Sequence, residues 1–376
     1  MRHYRAAAGA AAGMALVLMP PATASAQGHD RHGGDDTITT IAGGLAGPRQ
    51  LSAYTGHRLV VAESDTGEVS SVDLRKGQVE TLLTGLGAAQ GVDYANGRLY
   101  VAVGEAGPPP EEGGAPASPS DVPSNALIEA KPNGQILRSF DLLQYELENN
   151  PDGQVQFVRD ENGVDQPVDA LSNPFSVLAQ RDRILVADAG ANDVLSIDRR
   201  SGEISTFFAP PVVTDTPECE AAQNNPGTVG CDPVPTEITE GPDGLIYLGT
   251  LGAEAPGAAR VYVLDQQGHQ VDVITGLTSV TGVAVDHDGT VYVSNVIEGA
   301  PEEEMPPPGF DPATIGELTR ISPDGERATA DVTMPTGLEI KKGKLYASAW
   351  SVAGFFGMPG RGEVQRIGEG AFVATP

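Results

Sequence analysis

A five-residue hydrophobic strand recurs six times along this chain, and that recurrence limits what it can fold into. The copies are Arg58-Leu59-Val60-Val61-Ala62, Arg98-Leu99-Tyr100-Val101-Ala102, Arg183-Ile184-Leu185-Val186-Ala187, Leu245-Ile246-Tyr247-Leu248-Gly249, Thr290-Val291-Tyr292-Val293-Ser294 and Lys344-Leu345-Tyr346-Ala347-Ser348. Each sits between Gly-containing turns, with one strand-like run before it and two after. Four short strands repeating at roughly 40–50 residues are the signature of propeller blades. The expected fold is therefore all-β, a six-bladed β-propeller over residues 37–376. That architecture leaves function open, because propellers host binding, scaffolding and catalysis alike.

The first strand of each blade is expected at about 48–54, 89–95, 174–179, 235–240, 280–286 and 335–340. Pro48, Pro174, Pro235 and Pro335 open four of them, at a position where no ladder hydrogen bond is lost. Thr37–Ala42 reads as a fourth strand with no blade of its own. It is expected to complete the last blade and close the ring, with Phe372–Thr375 competing for the same slot.

Loop lengths are lopsided. Turns between first and second strands, and between third and fourth, are tight: Asn96-Gly97, Asp243-Gly244, Asp288-Gly289, Asn133-Gly134 and Asp324-Gly325 are all turn formers. The long insertions, 104–124, 143–173, 209–234, 296–315 and 350–361, all fall on the other connections. In an up-and-down blade those connections emerge on one face. Long loops gathered on one face of a rigid scaffold are where binding and chemistry usually sit.

The N-terminus reads as an export signal. Arg2 and Arg5 precede an apolar run from Ala6 to Met19, and Ala24-Ser25-Ala26 forms a small-residue cleavage site. Residues 1–26 are thus expected to be removed, leaving 27–36 as a polar leader on a secreted chain with no membrane span. Losing Arg2 and Arg5 takes the net charge from −28 to −30. A field of that sign repels nucleic acid; it suits cations, basic partners, or simply a solvated surface. The two cysteines, Cys219 and Cys231, are expected to pair in an oxidising compartment.

Candidate site residues come from the long-loop face. Strand-two ends supply the column Glu63, Val103, Asp188, Thr250, Asn295 and Ala349, expected at the tunnel mouth. Glu63, Asn173, Asp188 and Asn295 carry hard oxygen ligands that suit Ca2+, although the inner ends of strands around a wet hole are polar in any case. The segments 145–153, 172–175 and 188–193 add Tyr145, Glu146, Asn149, Asn173, Asp188 and Asn192 as candidate ligands for a cation or polar small molecule. Asn-Pro and Asp-Gly are equally turn punctuation. Trp350 could stack a planar or sugar ligand, or serve as a buried blade aromatic. The Pro- and Glu-rich stretches around Pro108–Glu112 and Pro301–Glu304 read as extended rims. No Gly-x-Ser-x-Gly, phosphate loop, His-Glu-x-x-His or dinucleotide motif occurs.

Taken together, Tyr145-Glu146-x-x-Asn149-Asn150-Pro151-Asp152-Gly153, Ser172-Asn173-Pro174-Phe175, Val186-Ala187-Asp188-Ala189-Gly190-x-Asn192-Asp193, Pro235-Thr236, Gly241-Pro242-Asp243-Gly244 and Gly257-Ala258-Ala259-Arg260-Val261-Tyr262 resemble the ScyD/ScyE family of secreted bacterial proteins. The resemblance covers nearly the whole mature chain. It implies a propeller of the NHL/gluconolactonase type, for which most members have no established activity. One stretch departs from the family: Leu251-Gly252-Ala253-Glu254-Ala255-Pro256 stands where the family often has aromatic residues. The chain also looks like a distant relative of calcium-dependent lactonase propellers, through Ser172-Asn173. Two of their three metal-ligand positions, falling near Arg49 and Pro235-Thr236, do not match.

These readings lead to a secreted, monomeric propeller that binds a small molecule, cation or extracellular protein. The alternatives are a metal-dependent lactonase using Asp188, Asn173 and Glu63 or Asn295, and a protein-interaction module using the acidic loops.

Overall fold

The computed structural model describes residues 37–105, 120–301 and 307–375. The expected signal peptide and leader, and the centres of both Pro-rich stretches, lie outside the described residues. Six small antiparallel sheets form a six-bladed propeller. Blade 1 is Pro48–Ala53, Arg58–Glu63, Glu68–Asp73 and Val79–Leu83. Blade 2 is Ala89–Ala95, Arg98–Val103, Ala126–Ala130 and Ile136–Asp141. Blade 3 is Pro174–Ala179, Arg183–Asp188, Asp193–Asp198 and Ile204–Phe208. Blade 4 is Pro235–Glu240, Ile246–Thr250, Ala259–Leu264 and Gln270–Leu277. Blade 5 is Val280–Val285, Val291–Asn295, Glu317–Ile321 and Arg327–Ala330. Blade 6 is Leu338–Ile340, Leu345–Ala349, Gly362–Ile367 and, from the other end of the chain, Ile38–Leu45.

The recurring hydrophobic motif is the second strand of each blade, and the structure shows why it is apolar throughout. Successive side chains on a strand point to opposite faces, and each blade is covered on both faces by its neighbours. Val60 and Ala62 pack against Val92, Leu99 and Val101 of blade 2. Leu59 and Val61 pack the other way, with Tyr346 and Val364 of blade 6. The alternation repeats at Tyr100 and Ala102 against Leu99 and Val101. It repeats again at Ile184 and Val186 against Leu185 and Ala187. The core is thus a ring of interfaces between blades.

Ring closure falls to the N-terminal strand. Ile38–Leu45 runs antiparallel to Gly362–Ile367, from Ile38 opposite Ile367 to Leu45 opposite Gly362. The competing tail goes elsewhere: Val373–Ala374 adds a fifth strand to blade 5, beside Arg327–Ala330.

Two features of the long 143–173 segment differ from the sequence reading, which has it as loop. Leu142–Asn149 is a helix, α1, the one α-helix among the described residues. The Asp141 carboxylate caps it by accepting from the Gln144 N–H at 2.9 Å. Asn150, at φ 46°, ends it in the left-handed region, its N–H bonded to the Glu146 carbonyl. Phe157–Arg159 and Asp165–Pro167 then form a small hairpin.

The tunnel is lined differently from expectation. The first strand of each blade is innermost, so the column of second-strand ends from Glu63 to Ala349 stands one strand further out. Hydroxyls staple the first strands of successive blades: Thr236 donates to the Val280 carbonyl at 2.6 Å, Thr281 to Pro335 at 3.2 Å and Thr336 to Pro48 at 3.1 Å. The next residue of each strand gives the column Gln50, Gly91, Ser176, Glu237, Gly282 and Gly337. Gln50 of blade 1 reaches across to Glu237 of the opposite blade 4 at 2.9 Å. Its amide oxygen accepts from the N–H groups of Val92 and Val177. Glu237 also accepts from Ser176 at 2.7 Å and from Ile238 N–H at 3.1 Å. These two side chains cross the middle of the tunnel. The glycines make room: a Cβ at Gly91 would stand 2.8 Å from the Gln50 amide oxygen.

Candidate functional site

The long-loop face of blades 2 and 3 gathers carboxylates from five segments. Glu146 comes from α1, Asp152 from the turn after it, Asp169 from the run into blade 3, Asp188 and Asp193 from its second and third strands, and Asp232 from the loop into blade 4. Asp188 is fully buried and holds the local backbone together. It accepts from Ser172 Oγ at 2.6 Å, Asn173 N–H at 2.5 Å, and the N–H groups of Gly190 and Ala191 at 3.2 Å each. The 188–191 turn can lie that close to residues 170–173 because position 190 has no Cβ, which would stand 2.6 Å from the Ala170 carbonyl oxygen.

Asn192, at φ 52°, links two loops. Its Nδ2 donates to Asp152 Oδ2 at 3.2 Å, and its Oδ1 accepts from Val234 N–H at 3.1 Å. Asn173 Oδ1 accepts from Glu105 N–H at 3.0 Å. A pocket of about 80 Å³ opens between these segments, with Asp169, Asn173, Asn192, Asn224 and Asp232 among apolar walls from Ala170, Ala189, Val234 and Ala253. The disulfide Cys219–Cys231, with Cα atoms 5.1 Å apart, fixes the loop that carries Asn224 and Asp232.

Among the described residues, the charges that act on these carboxyls are other carboxylates. Burial raises Asp169 to about 6, with Asp232, Asp152 and Glu105 adding to it. Burial raises Glu146 to about 7, opposed by a hydrogen bond from Gln156 and reinforced by Asp152 and Asp188. Asp193 is pushed well above the carboxylate range by burial, with Asp188, Glu146 and Asp152 behind it. Burial also raises Asp232, against a bond from Gln154. The region is short of positive charge.

The structure brings Glu146, Asn173, Asp188 and Asn192 to this part of the face and engages the remaining candidates elsewhere. Tyr145 Oη bonds Thr206 Oγ1 at 3.0 Å, and the exposed Asn149 donates back to the Tyr145 carbonyl. Glu63 accepts from Ala46 N–H in blade 1, and Asn295 donates to Glu298 in blade 5. Trp350 is buried, with the Arg361 guanidinium 4.2 Å over its ring. Among the described residues no three His, Cys, Asp or Glu side chains group as a metal site. Arg49, buried beside Ser64 and in the field of Asp65, stands where the lactonase pattern has its early acid. Asp169 and Asp232 escape sequence reasoning because each is a single Asp in a loop with no motif around it, and Asp193, although inside the 188–193 segment, reads there as the start of a strand.

No family model matches the chain, and no curated protein sequence matches it significantly. Solved structures do. A luciferin-regenerating enzyme matches 90% of this chain and 97% of its own at 8% identity, TM-score 0.53. A gluconolactonase from Xanthomonas campestris matches 90% of this chain and 89% of its own at 10% identity, TM-score 0.50. A streptogramin B lyase matches 90% of this chain and 97% of its own at 12% identity, TM-score 0.48. The chain thus shares the fold of the luciferin-regenerating enzyme and the gluconolactonase, and at these identities the likeness shows the fold alone. The disulfide fits an oxidising, extracellular setting. No helix among the described residues is long and apolar enough to cross a membrane.

Proposed function

We propose that this is a secreted, ScyD/ScyE-like propeller that binds a small cationic molecule in the pocket formed by Asp169, Asn173, Asn192, Asn224 and Asp232. The carrying observation is a set of partly buried carboxyls on the elaborated face whose electrostatic neighbours are all acidic. A ligand ammonium or guanidinium would supply the missing charge, and the Asn side chains would orient it. Binding of this kind needs no nucleophile or general base in a defined geometry. The lactonase alternative draws support from the shared fold, and from Ser172-Asn173 at a strand opening. Against it stand Arg49 at the tunnel mouth and the Gln50–Glu237 crossing. A protein partner would have to be basic and would bind with salt-sensitive affinity.

The test is a calorimetric and thermal-shift screen of small amines, guanidines and lactones against the mature protein, with lactone hydrolysis followed in parallel. The expected result is saturable binding of a cationic compound that the double variant Asp169→Asn/Asp232→Asn abolishes. Lactone turnover, or binding indifferent to that variant, would overturn the reading.

A further inference from the structure

Beneath the pocket lies a second set of oxygens that the pocket does not use. Asp193 is fully buried, and neither of its carboxylate oxygens has a hydrogen-bond partner. Glu146, 4% exposed, uses Oε1 to accept from Gln156 Nε2 at 2.8 Å, while its buried Oε2 is unpartnered. Two carboxamides from the turn after α1 show the same one-sidedness. Asn150 donates its Nδ2 to the Gln154 carbonyl at 2.9 Å, and Gln154 donates its Nε2 to Asp232 at 2.8 Å. In each case the amide nitrogen is spent and the buried amide oxygen is left over. Asp152 ties this turn to Asn192, the residue before Asp193. Asp193 in turn pairs across the ladder with Asp188.

Buried polar atoms are nearly always satisfied, and each unsatisfied one costs free energy. Here five buried side-chain oxygens of Glu146, Asn150, Gln154 and Asp193 lack a partner, while the amide nitrogens of Asn150 and Gln154 are both used. Water, which both donates and accepts, suits a mixed set of donors and acceptors. A set made only of acceptor oxygens, three of them on carboxyls whose negative charge has no cation nearby among the described residues to offset burial, asks for a cation.

We propose that Asp193, Glu146, Asn150 and Gln154 form a buried site for one hard divalent cation of the Ca2+ type, fastening α1 and the turn after it to the third strand of blade 3. All the ligands are oxygens, which selects against soft metals. Neutral carboxamides mixed with carboxylates on an irregular turn suit the flexible coordination of Ca2+ better than the rigid octahedron of Mg2+. Two carboxylates neutralise the ion. The site needs no occupant in the pocket above it and does not rest on the pocket reading.

The test uses the full mature chain stripped with a chelator and titrated with Ca2+ alone, then Mg2+ alone, by calorimetry and thermal unfolding. The expected result is one Ca2+ per chain, a rise in Tm and much weaker binding of Mg2+. Asp193→Asn and Glu146→Gln should each weaken Ca2+ binding by roughly tenfold or more, comparable to losing a supporting group at a metal site. In the stripped state Asp193→Asn should melt no lower than the parent, because it removes an unpaired buried carboxyl. Terbium supplies a readout that needs no core variant: Tyr145 beside Glu146 should sensitise its luminescence, and Ca2+ should quench it by displacement. No heat and no Tm change at millimolar Ca2+ would overturn the proposal. So would Ca2+ binding that survives both substitutions.

Discussion

Replacing Glu237 by Gln should flatten the dependence of stability on pH. Burial raises the Glu237 carboxyl from 4.5 to about 8, offset only in part by the bonds from Ser176, Ile238 and Gln50. In the unfolded chain the group regains its ordinary value. The native state therefore holds a proton that the unfolded state has lost at any pH between the two. Stability from this group is fully present below about pH 4.5 and drains away as pH rises through about 8. The gap from 4.5 to about 8 corresponds to roughly 5 kcal/mol, a ceiling that backbone relaxation and water entry reduce. Gln keeps an acceptor oxygen for the three donors, so the cost at low pH should stay within about 1 kcal/mol. The assay is urea unfolding of both proteins at steps from about pH 5 to about pH 9. Glu339, also raised to about 8 by burial and by Asp93, is present in both and adds to the Glu237 shift, so the difference between the curves reports Glu237 together with its coupling to Glu339. The variant should overtake the parent on the alkaline side. A difference that stays constant across the range would show that the tunnel crossing tolerates a charge, and the argument would fail.

The two ends of the chain should behave oppositely on truncation. Removing residues 373–376 takes away a short fifth strand with Val373 70% exposed, keeps Phe372 against Tyr292, and should leave a single unfolding transition at nearly the same temperature. Removing 37–45 strips blade 6 of its outer strand and should give aggregation on size-exclusion chromatography, as an uncovered sheet edge predicts. Changing Cys219 and Cys231 together to Ser should cost about 3 kcal/mol by the loop-entropy model, with new proteolysis confined to residues 209–234 and an unchanged far-ultraviolet spectrum. Asp141→Ala should lower stability by about 1 kcal/mol through the lost cap, and hydrogen exchange should quicken in α1 more than in the blades.

The blades were legible because their physics is local and repeated. A strand covered on both faces must be apolar along its covered length, as Ile184-Leu185-Val186-Ala187 is, and Asn96-Gly97, both at positive φ, gives the turn away. Helix α1 was not legible. Eight residues give too little period to read, and the capping Asp141 ends a strand that already looks complete. The plug of Gln50 and Glu237 was visible only in alignment across blades, where two long polar residues share a column with three glycines and a serine. Of the candidate site, Asp188 and Asn192 read as ligands from their chemistry, but Asp188 is spent on Ser172 and neighbouring N–H groups, and Asn192 on Asp152 and the Val234 N–H. The unpartnered atoms belong to Glu146, which the sequence did single out, and to Asp193, Asn150 and Gln154, whose significance depends on which neighbours fail to reach them.

Because the sheet of blade 6 joins Ile38–Leu45 to Gly362–Ile367, this ring is fastened by residues more than three hundred positions apart. Such a clasp cannot shut while any part of the chain is still being delivered. Blade 1 must wait with an open flank for blade 6, and the closing event is a long-range search of the kind that makes β-rich proteins slow. Once shut, the same clasp hides both flanks together, so the molecule should let go as slowly as it closes.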